Sequence, residues 1–236
     1  MNTAKRNAHR ARRRRLIQLA ALGVLGPAGI SGLIQEAPAN GDLPPVVGIN
    51  SLSGSVTVNG VAAKVGTPVK PGDKVATGRG STAVVVIGKD AYLLRDSTSV
   101  IFEASRDNPG VLGAIAISAG KLLSVFGKRS GTGVSLRAQS ATIGIRGTGC
   151  YVELYPGRTY FCLCYGEATI SGGGMAAART LTTTHHDNPV WLDESGSAMT
   201  VEKGPFLNHA DEELIMLEKL TGREPPFVKL GLTGRY

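Results

Sequence analysis

Three thiols and three imidazoles are the side chains of this sequence best suited to chemistry. Cys150, Cys162 and Cys164 fall on the two arms of one expected β-hairpin that turns at Pro156-Gly157. His185 and His186 are adjacent in a later polar stretch, and His209 opens an expected helix. Sulfur and imidazole nitrogen are soft donors, and three of each suffice to hold a transition metal or to build a redox centre. The spacing is not that of a zinc finger, because Cys-x-Cys stands where Cys-x-x-Cys would be. The remaining histidine, His9, lies in a basic leader.

Residues two apart on a strand face the same way, so Cys162 and Cys164 share a side. The side taken by Cys150 depends on the turn. A three-residue connection sets it across from Cys164, whereas two or four residues set it opposite Leu163 on the other face, and a bulge reverses the outcome. Three arrangements stay open. Cys150 pairs with Cys162 or Cys164 in a disulfide that leaves one odd thiol; or all three thiols are buried as small hydrophobes; or the thiols and one or more imidazoles form a metal or redox site. An enzyme is not expected. The sequence holds no glycine-rich phosphate loop, hydrolase elbow or His-Glu-x-x-His, and a hairpin Cys-x-Cys lacks an activating helix N-terminus. No cofactor is expected other than such a transition metal.

The elements that must position these groups begin after a leader. The chain has 236 residues, 42% of them hydrophobic, and a net charge of +8. Lys5, Arg6, Arg10 and the run from Arg12 to Arg15 put seven positive charges and no negative one in the first fifteen residues. Subtracting those seven leaves +1 for the rest, so the basic balance belongs to the leader and nucleic acid is not an expected partner. An apolar run over residues 16–34 and small residues at Ala37-Pro38-Ala39 complete a secretory signal over residues 1–39. Arg13-Arg14-Arg15-Leu16-Ile17-Gln18 resembles the twin-arginine export motif, with Gln18 where a Lys is frequent. Cleavage after Ala39 gives a periplasmic protein. An uncleaved leader gives a membrane anchor through that segment alone, although Pro27 and four glycines weaken such a helix.

A linker at 40–45 leads into an all-β body over residues 46–170, a short-stranded sandwich or roll of mostly antiparallel strands. Asn59-Gly60 is a strong hairpin signal between 55–58 and 61–62. Strands are expected at 83–87, 91–94, 99–102, 114–118, 121–126, 134–137, 141–145 and 167–170, with a hairpin over 150–165 that turns at Pro156-Gly157. Residues 171–236 form an extension, mixed and polar to about residue 204. One helix is expected at 208–221, with Asn208 as N-cap, acids at Asp211, Glu212 and Glu213, an apolar face of Leu214 and Leu217, and Gly222 as terminator. It is too short to stand alone and is expected to pack on the β body.

Several segments in order resemble the FecR domain, the periplasmic part of iron-dicitrate-type signal transducers. They are Val69-Lys70-Pro71-Gly72-Asp73-Lys74-Val75-Ala76-Thr77-Gly78, then Gly80-Ser81-Thr82-Ala83-Val84-Val85-Val86, then Gly120-Lys121-Leu122-Leu123, and Ala141-Thr142-Ile143-Gly144-Ile145-Arg146-Gly147-Thr148-Gly149. The resemblance implies a non-catalytic module that binds an envelope protein or ligand, in signalling. The fifteen residues before the apolar run leave no room for a sigma-binding module, so the anti-sigma role is not expected to carry over. Gly72 and Gly78 sit where turns favour positive φ, and Asp73 can bond its own turn. Arg146 is the one charge in an apolar stretch, expected either to tie carbonyls or a carboxylate together or to meet a ligand.

Overall fold

A computed structural model describes residues 47–129 and 133–234. The leader at 1–39 and the linker at 40–45 lie outside the described residues. No helix among the described residues is long and apolar enough to cross a membrane.

The body is all β, a curled mixed sheet forming a half-barrel, with two short helices at its C-terminal end. Fifteen strands form one sheet: β1 (Gly48–Ser53), β2 (Val56–Val58), β3 (Val61–Ala62), β4 (Lys74–Thr77), β5 (Thr82–Ile87), β6 (Asp90–Leu94), β7 (Ser99–Ala104), β8 (Leu112–Ala119), β9 (Lys121–Val125), β10 (Val134–Ala138), β11 (Ala141–Tyr155), β12 (Arg158–Gly172), β13 (Arg179–Thr183), β14 (Val190–Asp193) and β15 (Thr200–Lys203). The spatial path is β1-β5-β6-β9-β11-β10-β8-β7-β4-β2-β3. The pairs are antiparallel except β8 with β10. Asn59 and Gly60 take φ of 52° and 80°, the primed turn expected of them.

Alternation of side chains gives the sheet two apolar faces. The inner core gathers Ile49, Val75, Val85, Tyr92, Leu94, Phe102, Ile115, Leu136, Ile143 and Leu163. An outer layer on β5, β6, β9, β11 and β12 gathers Val84, Val86, Leu93, Leu123, Val125, Tyr151, Tyr160, Cys162, Cys164 and Tyr165. Helix α1 (Asp211–Leu220) and the short α2 (Pro226–Lys229) cover that outer layer through Leu214, Leu217 and Phe227, all with no exposed surface.

The helix starts two residues later than expected. Ala210 occupies the N-cap, and the Glu213 carboxylate reaches back to the Ala210 N–H at 3.0 Å. Asn208 lies outside the helix at φ 57°, where its amide donates to Glu153. Gly222 does end the helix, with φ 71°. The two turn glycines divide. Gly72 has φ 101°, as expected, while Gly78 does not hold positive φ; an added Cβ there would make a tight 3.3 Å contact with that of Ser55. Asp73 bonds its turn through the Lys70 N–H at 2.9 Å and also receives the Asn59 amide.

Candidate functional site

The long hairpin of β11 and β12 carries the site. Its connection at Pro156-Gly157 is two residues, with Tyr155 opposite Arg158. That parity sets Cys150 opposite Leu163 and Tyr151 opposite Cys162. Cys150 therefore points into the inner core, while Cys162 and Cys164 point to the outer layer. Cys150 does not belong to the donor cluster, because one residue of strand parity turns it to the wrong face. All three cysteines are unbridged and buried. Burial pushes the Cys150 thiol far up, with the nearby Cys162 adding to it.

Along the free flank of β12, β14 pairs with residues 158–161 and β13 with residues 166–170. Between them the edge at Cys162 to Tyr165 has no strand beside it. The turn from β13 to β14 fills that gap: the His186 N–H donates to the Cys164 carbonyl at 2.9 Å. Asp187 shapes the turn, accepting from the Thr183 hydroxyl and from the Thr184 and His185 N–H groups. His186 adopts φ 51°, which swings its ring over the sulfurs. His209 arrives from the other side, two residues before α1, and its ring stacks on Tyr151 with centroids 4.7 Å apart.

Four donor atoms converge, all within 4.8 Å of one another: Cys162 Sγ, Cys164 Sγ, one nitrogen of His186 and one of His209. Cys162 Sγ is 3.5 Å from His186 Nδ1, Cys164 Sγ is 3.5 Å from His209 Nε2, and the two nitrogens are 3.2 Å apart. Each imidazole is oriented by its far side. His186 Nε2 bonds Asp211 Oδ1 at 3.0 Å, and His209 Nδ1 donates to the Leu207 carbonyl at 2.6 Å. A carbonyl or carboxylate accepts, so the far nitrogens carry protons; each near nitrogen presents a lone pair when its ring is neutral and an N–H when it is charged.

His185 is in the vicinity but not among the four. Its Nε2 lies 2.9 Å from both oxygens of Asp211, so it braces the carboxylate that orients His186. Asp211, the first residue of α1, also accepts the Gly234 N–H at 2.8 Å. Burial opposes its ionisation, but these bonds from Gly234, His185 and His186 hold the carboxyl below its ordinary value. Asp211 was not singled out as a site residue by the sequence; its place in the first helical turn has an ordinary explanation in the helix dipole. The sulfurs divide in the same way. Burial pushes both up; bonds to Cys164, His186 and His209 outweigh it at Cys162, whose thiol is held well below the ordinary value. At Cys164, burial and the neighbouring Cys162 together push the thiol well above it.

No family model and no curated protein matches the sequence. Two solved structures resemble the fold. Both are crystal structures described as a "putative anti-sigma factor" from Parabacteroides distasonis. One is 9% identical, with a TM-score of 0.47, covering 61% of this chain and 71% of that one. The other is 10% identical, with a TM-score of 0.46, covering 63% and 74%.

Arg146 does not tie the fold together from within. It is exposed beside the bulge of β11 and makes no ion pair among the described residues. It lines a cleft of about 330 Å³ with Lys128 and Arg129, on a part of the domain that shares no residue with the Cys/His cluster. Arg129 is bound to the buried Asp90.

Proposed function

We propose that this chain is an exported, non-catalytic metal-binding protein of the bacterial envelope, built on a FecR-like β domain. Cys162, Cys164, His186 and His209 hold one transition-metal ion. The observation that carries the reading is the pair of imidazole nitrogens 3.2 Å apart, each oriented by a proton on its opposite side. Two nitrogens at that distance, buried beside two sulfurs, offer a cation four soft donors around one point. A bound carboxylate or carbonyl behind each histidine is also the usual second layer of a metal site.

Four protein donors around one point leave no position open for a substrate, which is the pattern of non-catalytic sites. A periplasmic location rests on the leader, and the twin-arginine-like motif supports export of the chain already folded. The envelope partner or ligand that the FecR resemblance implies has no comparable convergence of groups among the described residues, so metal binding stands ahead of it.

Metal analysis of the protein purified from the envelope without chelators tests the reading. One transition-metal ion per chain is expected, falling to a small fraction of that in Cys162→Ser/Cys164→Ser. A chain with no stoichiometric metal, or a double variant that keeps its full content, overturns it.

A further inference from the structure

We infer that the ion is divalent and of zinc type, and that its binding fastens the C-terminal segment, residues 206–234, onto the outer face of the sheet. The inference rests on the metal-binding reading.

The geometry selects the class of ion. Around a tetrahedral centre with bonds of about 2.0–2.1 Å to nitrogen and about 2.3 Å to sulfur, donors stand roughly 3.3–3.8 Å apart. The 3.5 Å separation between each nitrogen and its sulfur falls in that range, the 3.2 Å between the nitrogens falls just below it, and all four donors lie within 4.8 Å of one another. Two thiolates and two neutral imidazoles carry two negative charges, which a divalent cation cancels. A monovalent ion would leave a net negative charge in a buried site, next to the Asp211 carboxylate that has no exposed surface. The wall is dry. Phe206 packs against both ligand rings at 4.7 and 4.5 Å, Tyr151 stacks on His209, and Phe227 lies 4.7 Å from His185. Tetrahedral Cys2His2 donors in a closed pocket suit zinc(II).

The topology gives the ion its task. Its donors come from three pieces of chain: β12, the turn after β13, and the residue pair before α1. The first two are already joined by backbone pairing and by the His186 N–H bond to Cys164. The third is the segment that must dock. Helix α1 has ten residues, too few to persist without its neighbours. The ion joins His209 directly to β12, and Asp211 gathers His185, His186 and the Gly234 N–H at one carboxylate. Both ends of the segment thus meet at the metal site. Arg95 with Glu213, and Tyr165 and Arg223 with Glu218, add polar contacts along the helix.

Hydrogen exchange on the full chain tests this, comparing protein loaded with zinc(II), protein stripped by a chelator, and stripped protein given zinc(II) back. Exchange of amides in 206–234 is expected to rise at least tenfold on stripping and to return with zinc(II), while amides of β5 stay protected. His209→Ala should give the stripped pattern at any zinc concentration. Stoichiometric metal whose removal leaves 206–234 unchanged overturns the fastening and leaves the metal-binding reading intact. A site that refuses zinc(II) but takes copper(I) overturns the ion class. A chain that takes up no ion removes both readings.

Discussion

Cys150 and Leu163 stand directly opposite each other across the β11–β12 hairpin, one residue away from the pair formed by Tyr151 and Cys162. That single step separates a thiol in the inner core from a thiol in the donor cluster. Cys150→Ser should therefore leave metal content at its wild-type value. It should cost about 1–3 kcal/mol in a denaturant titration, because a hydroxyl in that apolar position has little to bond. Loss of metal in this variant would contradict the assignment of faces.

Asp211 reaches the proposed metal site only through His186 and is braced by His185. Asp211→Asn should weaken metal binding by about 10–100-fold, measured by competition with a chromogenic chelator. The variant should still bind one ion per chain at saturation, since all four donors remain. An unchanged affinity would mean that the carboxylate only joins the helix to the tail.

Leu217 is fully buried where α1 meets the outer layer. Leu217→Ala should cost about 2–5 kcal/mol of stability. Met216, its exposed neighbour in the same helix, serves as the control, and Met216→Ala should change little. Comparable losses in the two variants would mean the helix does not dock by this face.

Glu153 gives a prediction about acid. Burial pushes its carboxyl up, but bonds from Asn208, Tyr155 and Tyr151, with the Lys121 ammonium nearby, outweigh this and hold it below the ordinary value. A carboxyl with a lower pKa in the folded state contributes stability above its unfolded value, about 4.3, and loses that contribution as pH falls through the folded value. Glu153→Gln should thus be less stable than wild type at pH 7, and the gap should narrow between roughly pH 5 and pH 3. Urea midpoints across that range measure it, and a constant gap would refute the ionic role.

The sequence made the β character readable because turn pairs such as Asn59-Gly60 punctuate short alternating runs. It also made the shared side of Cys162 and Cys164 readable, since a period of two needs no knowledge of neighbours. Cys150 was undecidable because its side depends on the length of the turn and on the absence of a bulge between the turn and the thiol. Strands β13 to β15 were not legible: Arg179–Thr183 exposes most of its side chains and buries only Leu181 and Thr183, so its pattern reads as loop. With those strands went the turn that delivers His185 and His186. The helix start was misplaced because Asn208, a good cap by type, is occupied by Glu153, a partner fifty-five residues away.

The distance along the chain between Cys164 and His209 is forty-five residues. At roughly 5–20 residues per second of synthesis, the second sulfur emerges about 2–9 s before the last imidazole that is to stand beside it. During that interval the two sulfurs lie on a strand whose covering helix has not been made. They are open to oxidants and to any thiol-seeking ion at hand. On the proposed reading, the order of the donors along the polypeptide favours assembly where the thiols are kept reduced.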